Sequence, residues 1–429
     1  MKIVIIIFHC YYLHLVIALI EAAKLFYIFF EWIEFLVRWL HVIAGIAWIG
    51  SSFYFIALDL SLQNKKDMPK QAHGEAWQVH GGGFYQIIKY LVAPEKMPSQ
   101  LTWFKWEAYG TWISGFLLLI LVYYLSADLY MIEIEKFDLT KFEAISISLI
   151  GIILGWVLYN FICKKTVNKN NTVLAIFILF IFTIFSWLYF QVFSYRGAYM
   201  QIGSMLGTIM VANVLMIIIP GQKKVVKSLL ENKKPDAIHG ITAKQRSLHN
   251  NYLTLPVIFI MISNHYPTIY ATEYSWIIIS LIIIVGALIR QFFNIKHSGK
   301  KPPYLIWIPI TIIVLFSVYL SDIGKPNLSS SKKKAELIIQ KIPKTLVVAS
   351  EEIIISKCSM CHAKEPLWEN MKHSPKQINL ENIKDIVQNI DSIYSQAVMS
   401  YAMPPGNITF LENSERKTLN DLYNFLKRL

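Results

Sequence analysis

The feature that most constrains this chain is a series of eight long apolar runs within its first 320 residues. They cover residues 33–58, 108–125, 142–162, 173–193, 204–220, 248–263, 274–291 and 304–320. A helix that crosses a bilayer needs about 20 mostly apolar residues, because the hydrocarbon core is about 30 Å thick. Only 16% of the residues are charged, against roughly 25% in soluble domains. The sequence therefore predicts an all-α fold whose main part, residues 33–320, is a polytopic membrane helix bundle with eight core spans.

A further apolar run over residues 3–20 precedes the bundle and is open to three interpretations. It can be an extra membrane helix, a signal peptide with a poor cleavage site near Ala22 and Ala23, or the product of an upstream start codon. We therefore treat residues 1–32 as an N-terminal apolar extension that is separate from the eight core spans.

Basic residues are distributed unevenly among the loops between the apolar runs. Most lie in 60–105, 164–169, 221–247 and 296–301, whereas the alternate loops contain few. Loops rich in Lys and Arg face the cytoplasm, so eight spans would place the chain after residue 320 on the outer side. The same loops explain the net charge of +13, and we expect the lipid bilayer, not nucleic acid, as the partner.

The composition changes after the last apolar run. Residues 321–345 are rich in Lys, Ser and Pro, which is typical of a linker, and residues 346–429 have the pattern of a small helical domain. Leu419, Leu422, Tyr423 and Leu426 form an apolar stripe at helical spacing. The sequence thus predicts a soluble domain tethered to the bundle.

This domain contains a C-x-x-C-H motif, which is the attachment motif of c-type haem. The thiols of Cys358 and Cys361 are spaced to form thioethers with one covalent haem c, and His362 is the expected iron ligand. A zinc site would need two further ligands, and only His373 is near. Because c-type haem is attached in the bacterial periplasm, the motif agrees with the loop charges. Both predict a bacterial inner-membrane protein with a periplasmic cytochrome c domain.

The second iron ligand is expected to be a methionine. Met403 lies beside two prolines that would hold its loop rigid, while Met399 and Met371 are the alternatives. A His/Met pair raises the reduction potential of haem. This suits a domain that passes electrons to a terminal cytochrome c oxidase or a soluble cytochrome c.

Five segments of the chain closely resemble the bacterial membrane urate hydroxylase family, which joins an eight-helix bundle to a C-terminal cytochrome c. They are residues 41–55, 79–85, 90–94, 103–109 and 245–256, with sequences HVIAGIAWIGSSFYF, VHGGGFY, YLVAP, WFKWEAY and QRSLHNNYLTLP. The resemblance implies oxidation (hydroxylation) of urate to 5-hydroxyisourate in purine catabolism, with electrons entering the respiratory chain. It covers about 33–320 and the cytochrome domain.

Given urate as the substrate, polar residues near either membrane face are candidates for its site. The imidazoles of His249, His80 and His41 are candidate catalytic bases, because their pKa lies near neutrality. The candidate substrate-binding residues are His73, Glu75, Asn250 and Arg196. Most of these belong to the inner face, where cytosolic urate would arrive, whereas His41 and Arg196 belong to the outer face together with Arg38 and His265.

An inner site would lie too far from an outer haem for efficient direct electron transfer, so it would need a second cofactor, such as a haem b in the bundle. The alternative function is a non-catalytic membrane anchor and electron-transfer cytochrome subunit for another dehydrogenase. A transporter fused to a cytochrome would require broken helices in two matching halves, which the sequence lacks.

Overall fold

The computed structural model describes residues 2–90, 98, 100–133, 136–166, 171–231, 233–323, 338–368 and 371–429, without the side chains of 2–24, 27 and 171. The described residues are mostly helical, as predicted. They form a bundle that extends to Asp322 and a smaller C-terminal domain that begins near Ile338.

Eleven helices of the described residues make up the bundle. They are α1 (Lys2–Ser61), α2 (Trp106–Leu118), α3 (Ala127–Tyr130), α4 (Lys141–Lys165), α5 (Asn171–Val192), α6 (Tyr195–Ala212), α7 (Ile219–Leu230), α8 (Ala237–Ser263), α9 (Pro267–Tyr270), α10 (Ser275–His297) and α11 (Trp307–Asp322). Two π-helical stretches interrupt them, because Leu119–Tyr124 extends α2 and Asn213–Ile218 joins α6 to α7. Such wide turns are frequent at functional sites.

Seven helical segments of the described residues are long and apolar enough to cross a membrane. They are Ile28–Ser61, Trp106–Tyr124, Lys141–Lys165, Thr172–Val192, Tyr195–Leu230, Ser275–His297 and Tyr304–Asp322. The predicted span over 248–263 falls in α8, which has 27 residues but carries too many polar residues to belong to this group. The bundle is therefore compatible with a membrane protein, and α8 is its most polar long helix.

Helix α1 is continuous from Lys2 to Ser61. At 1.5 Å per residue, its 60 residues would extend for about 90 Å, which exceeds the thickness of a bilayer core. The structure has no turn between the N-terminal apolar run and the first predicted span, although the sequence predicts a boundary between them at residue 32.

The predicted all-α fold lacks one element that the structure contains, a β-hairpin between α1 and α2. Strands β1 (Ala72–His80) and β2 (Gly83–Tyr90) are antiparallel. Gly81 and Gly82 make the turn with φ of 58° and 77°, the left-handed conformation that two-residue hairpin turns require. Lys89 forms an ion pair with Asp59 of α1 at 2.6 Å. We call this end of the bundle the hairpin end and the opposite one the far end.

Helix α6 lies at the centre of the bundle and packs against α4, α5 and α8. Ile202, Met205, Leu206 and Ile209 of α6 are fully buried. Helices α8 and α10 approach closely, since a Cβ at Gly286 would lie 2.5 Å from Cδ of Pro256. The absence of a side chain at Gly286 thus lets α8 pack directly on α10.

The C-terminal domain contains α12 (Lys344–Lys357), α13 (Ser359–His362), α14 (Ile383–Gln388), α15 (Ile390–Ile393) and α16 (Asn413–Lys427). The stripe of Leu419, Leu422, Tyr423 and Leu426 on α16 is buried, as expected, and packs against Ile354 and Ile386.

This domain lies against the far end of the bundle. Lys427 and Glu273 are 3.6 Å apart, and Met399 is buried in the core of the bundle. A small cavity of about 30 Å³ lies at this contact, between the segment that follows α9 and the ring of Tyr394.

Candidate functional site

A cluster of polar side chains is buried among α4, α6 and α8. It comprises Tyr159, Asn160 and Cys163 of α4, Asn213 at the start of the π-helical stretch after α6, and Arg246, His249 and Asn250 of α8. These residues lie in the last turns of α4 and the first half of α8, towards the hairpin end. Polar groups at such positions in an apolar bundle are usually functional.

Arg246 is the most deeply buried charge of the cluster, with no exposed surface. Its Nη2 donates to Oδ1 of Asn160 at 2.8 Å, and its Nη1 donates to Oδ1 of Asn213 at 3.3 Å. No ion pair joins Arg246 to a carboxylate in the part of the chain that the structure describes, and its Nε–H has no hydrogen-bond partner there. A buried guanidinium without a counter-ion is costly, so this arrangement favours the binding of an anion.

His249 is held through one ring nitrogen. Its Nδ1 lies 2.8 Å from the hydroxyl of Tyr159, and that hydroxyl also accepts a hydrogen bond from Nδ2 of Asn213 at 3.0 Å. If Nδ1–H donates to Tyr159, Nε2 keeps its lone pair and can accept a proton from a ligand. The arrangement therefore allows His249 to act as a base.

Asn213 connects the two parts of the cluster. Its Nδ2 donates to Oδ1 of Asn250 at 2.9 Å, and Asn250 in turn donates to the backbone oxygen of Met210 at 2.9 Å. Of the predicted site residues, His249 and Asn250 are thus brought into one network.

His41 lies elsewhere, between α1 and α2. Its Nδ1 is 2.9 Å from the backbone oxygen of Thr111 and 3.2 Å from Oγ of Ser114. Because a carbonyl oxygen can only accept, Nδ1 carries the proton and Nε2 retains its lone pair. His41 therefore presents an unprotonated nitrogen to a different part of the bundle from His249.

Arg196 lies in the far half of the bundle. Its Nε donates to Oδ1 of Asn264 at 2.9 Å, and its guanidinium lies 4.2 Å from the ring centroid of Tyr130. Asn264 directly follows α8, whereas Asn250 lies near the middle of that helix, so the predicted substrate-binding residues do not form one site.

The predicted residues His73, Glu75 and His80 lie on β1. The two imidazoles are exposed, while Glu75 is buried and pairs with Lys65 at 2.8 Å. Hydrogen bonds from Lys65 and Gln86 hold the pKa of the Glu75 carboxyl below its usual value. Glu75 thus has partners that stabilise the hairpin, and the hairpin contacts Tyr54 and Asp59 of α1.

Five of the seven cluster residues are not among the predicted site residues: Tyr159, Asn160, Cys163, Asn213 and Arg246. Arg246 belongs to a segment that was singled out, but its lack of an acidic partner is visible only in the structure. Asn213 is a lone amide inside a long apolar run, and this signal could have identified it.

The C-x-x-C-H motif lies at the junction of α12 and α13. Nδ1 of His362 is 3.0 Å from the backbone oxygen of Ile378, so it donates there and leaves Nε2 for an iron ion. Burial raises the pKa of the Cys358 thiol to about 12. The apolar side chains of Leu367 and Phe410 are exposed beside the motif. These donors and apolar surfaces fit a haem.

Two of the candidate methionine ligands have different surroundings. Met403 is half-buried against the core of the C-terminal domain, and its N–H donates to the backbone oxygen of Gln396 at 2.9 Å. Met399 is 4% exposed and packs into the bundle core. This difference favours Met403 as the ligand.

The family model described as urate oxidase N-terminal matches residues 27–321. The chain belongs to this family. The match covers the bundle from residue 27 onwards, including the buried cluster, and ends before the C-terminal domain. It confirms the expected relation to urate-related oxidoreductases. Comparison with curated proteins finds no match, and comparison with solved structures finds none.

Proposed function

We propose that this protein is a membrane-bound oxidoreductase that converts urate and water to 5-hydroxyisourate, two protons and two electrons. A covalent haem c in the C-terminal domain would receive the electrons. The observation that carries the proposal is the buried Arg246 with an unpartnered Nε–H, inside the region that matches the urate oxidase N-terminal family.

The cluster around Arg246 has the groups that this substrate needs. Urate is a planar anion with several carbonyl acceptors, and the free Nε–H of Arg246 can donate to one of them. Nε2 of His249 would take a proton as water adds to the purine ring, and Tyr159 would stabilise the resulting imidazolium through Nδ1. Asn213 would keep Tyr159 and Asn250 in place for this step.

Cys358, Cys361, His362 and Met403 would hold the haem. When bound, it accepts electrons one at a time and can reduce a terminal oxidase or a soluble cytochrome c. The basic loops at the hairpin end favour a cytoplasmic position for that end. The C-terminal domain, which contacts the far end, would then lie in the periplasm.

The cluster around Arg246 and the haem would therefore lie near opposite faces of the membrane. A haem b in the bundle remains a prediction, and His41 is its candidate ligand, because Nδ1 is bound to Thr111 and Nε2 is available. A pyridine haemochrome assay that separates b-type from c-type haem tests this. Only c-type haem in the active protein would count against a haem relay.

The test of the function is urate-dependent reduction of the haem. Purified full-length protein with ferric haem is mixed with urate without oxygen, and reduction is followed by absorbance. We expect complete reduction and formation of 5-hydroxyisourate. Protein that dithionite reduces but urate does not would contradict the proposal and favour an anchor subunit for another dehydrogenase.

A further inference from the structure

A second buried cluster lies on a different face of α8. Nε of Arg290 donates to Oδ1 of Asn251 at 3.2 Å, and its Nη2 donates to Oδ1 of Asn294 at 3.3 Å. Nδ2 of Asn294 donates to the same oxygen of Asn251 at 3.2 Å. Asn251 is completely buried, and Arg290 is 5% exposed. These residues thus form a compact polar group between α8 and α10.

The cluster has spare donors and no negative charge. Nδ2 of Asn251 is buried without a hydrogen-bond partner among the described residues. Both amide oxygens already accept bonds from Arg290. Across the described ranges of the chain, no ion pair joins Arg290 to a carboxylate. A site with a cation, free N–H groups and occupied acceptors is complementary to an anion that offers oxygen acceptors.

The guanidinium of Arg290 lies over an aromatic ring. It lies 3.8 Å from the ring centroid of Phe53 on α1. The neighbouring Tyr54 donates to Gln78 of the hairpin at 2.7 Å, so this cluster lies close to the hairpin end. Because Phe53 covers one face of the guanidinium, a ligand would bind to the N–H groups that Asn251 and Asn294 do not occupy.

Along α10, the cluster leads towards the end of the helix. Arg290, Asn294 and His297 are four and three residues apart and so share one face of α10. His297 is the last residue of the helix, and its Nδ1 has no hydrogen-bond partner in the described part of the chain. A row of donors therefore runs from the end of α10 to the buried Asn251.

The two clusters meet at consecutive residues of α8. Asn250 belongs to the Arg246 cluster, and Asn251 belongs to the Arg290 cluster. One turn further on, the close contact of Pro256 with Gly286 fixes the spacing of α8 and α10. An anion at Arg290 would thus be separated from the Arg246 cluster only by α8.

We propose that Arg290, Asn294 and Asn251 form a second anion-binding site, which takes the urate anion from the hairpin end before it reaches the Arg246 cluster. The inference rests on the proposed function for the identity of its ligand. The site itself requires only that a planar oxo-anion bind at Arg290.

Equilibrium dialysis with radiolabelled urate tests the inference. Full-length protein is first reduced with dithionite without oxygen, so that bound urate cannot be oxidised. We expect the wild-type chain to bind two urate molecules, and each of the variants Arg290→Gln and Asn251→Ala to bind one. Asn251→Ala is the smaller change, so it still tests the site if Arg290→Gln fails to fold. Lys296→Gln, an exposed change on the same helix, serves as the control and should keep both.

Kinetics give a second readout. Arg290→Gln should raise KM for urate about tenfold, equivalent to about 1.4 kcal/mol of lost binding, with kcat within a factor of two. The inference would be overturned if the wild-type chain bound only one urate, or if Arg290→Gln and Asn251→Ala each bound two. A large fall in kcat of Arg290→Gln at unchanged KM would also overturn it. Wild-type protein that binds two urates without ever reducing its haem would instead refute the proposed function.

Discussion

The imidazole of His41 packs directly against Gly115, so that a Cβ at Gly115 would lie 2.7 Å from Cε1 of the ring. The hydrogen bond from Nδ1 to Thr111 fixes the ring, and it cannot move aside freely. Helices α1 and α2 therefore depend on glycine at this position to hold His41.

Gly115→Ala should consequently destabilise the protein. We expect a loss of about 1–3 kcal/mol, the usual effect of overpacking, measured as a lower thermal unfolding temperature in detergent. Gly110→Ala on the same helix is the matched control, because its new Cβ would lie 3.7 Å from Cβ of Ala44, an ordinary contact. Equal stability of the two variants would show that the ring can shift without penalty.

His249→Ala should abolish urate turnover while leaving the haem reducible by dithionite. Removal of a general base typically lowers a rate by about 10²–10⁴-fold, and Tyr159→Phe should have a smaller effect because it removes only the partner of Nδ1. Rates are measured as urate-dependent haem reduction. His239→Ala, which removes a half-buried imidazole near the start of the same helix, should match the wild type. Unchanged turnover in His249→Ala would remove His249 from the site.

His362→Ala should prevent stable attachment of haem, since the imidazole that would hold the iron is lost. Haem staining of denaturing gels measures the covalent product, and membrane fractionation shows whether the bundle is still inserted. His373→Ala is the control, because this exposed histidine lies in the same domain. A haem-stained band of normal intensity from His362→Ala would contradict the assignment.

Met403→Leu should remove the thioether ligand and lower the reduction potential of the haem, because His/Met ligation raises it. A redox titration measures the potential, and the absorption band of methionine-ligated ferric haem reports the ligand. Met399→Leu should change neither, since Met399 packs into the bundle. The reverse pattern would identify Met399 as the ligand.

The hairpin illustrates where the interpretation of the sequence was wrong. Trp77 and Val79 precede the glycines, and Phe84 and Tyr85 follow them, a combination that predicts a β-hairpin. The polar side chains of His73, Glu75 and His80 in the same segment instead led to the prediction of a substrate site. In the structure, Gly81 and Gly82 form a hairpin turn.

Local chemistry explains what the sequence alone could establish. Long apolar runs predict helices, because a helix satisfies its own backbone hydrogen bonds without help from distant residues. The three residues of the haem-attachment motif lie within five positions of one another, so their spacing is independent of the fold. The helical bundle, the family resemblance and the motif could all be recognised in this way.

The grouping of the buried polar residues was decided only by the tertiary structure. Tyr159, Asn213 and Arg246 come from three different elements, and their contacts depend on how α4, α6 and α8 pack. Asn250 and Asn251 are neighbours in sequence, yet they point into different clusters, because successive residues of a helix face about 100° apart. No local pattern reports which helix a polar side chain will meet, or whether a carboxylate will be there to neutralise it.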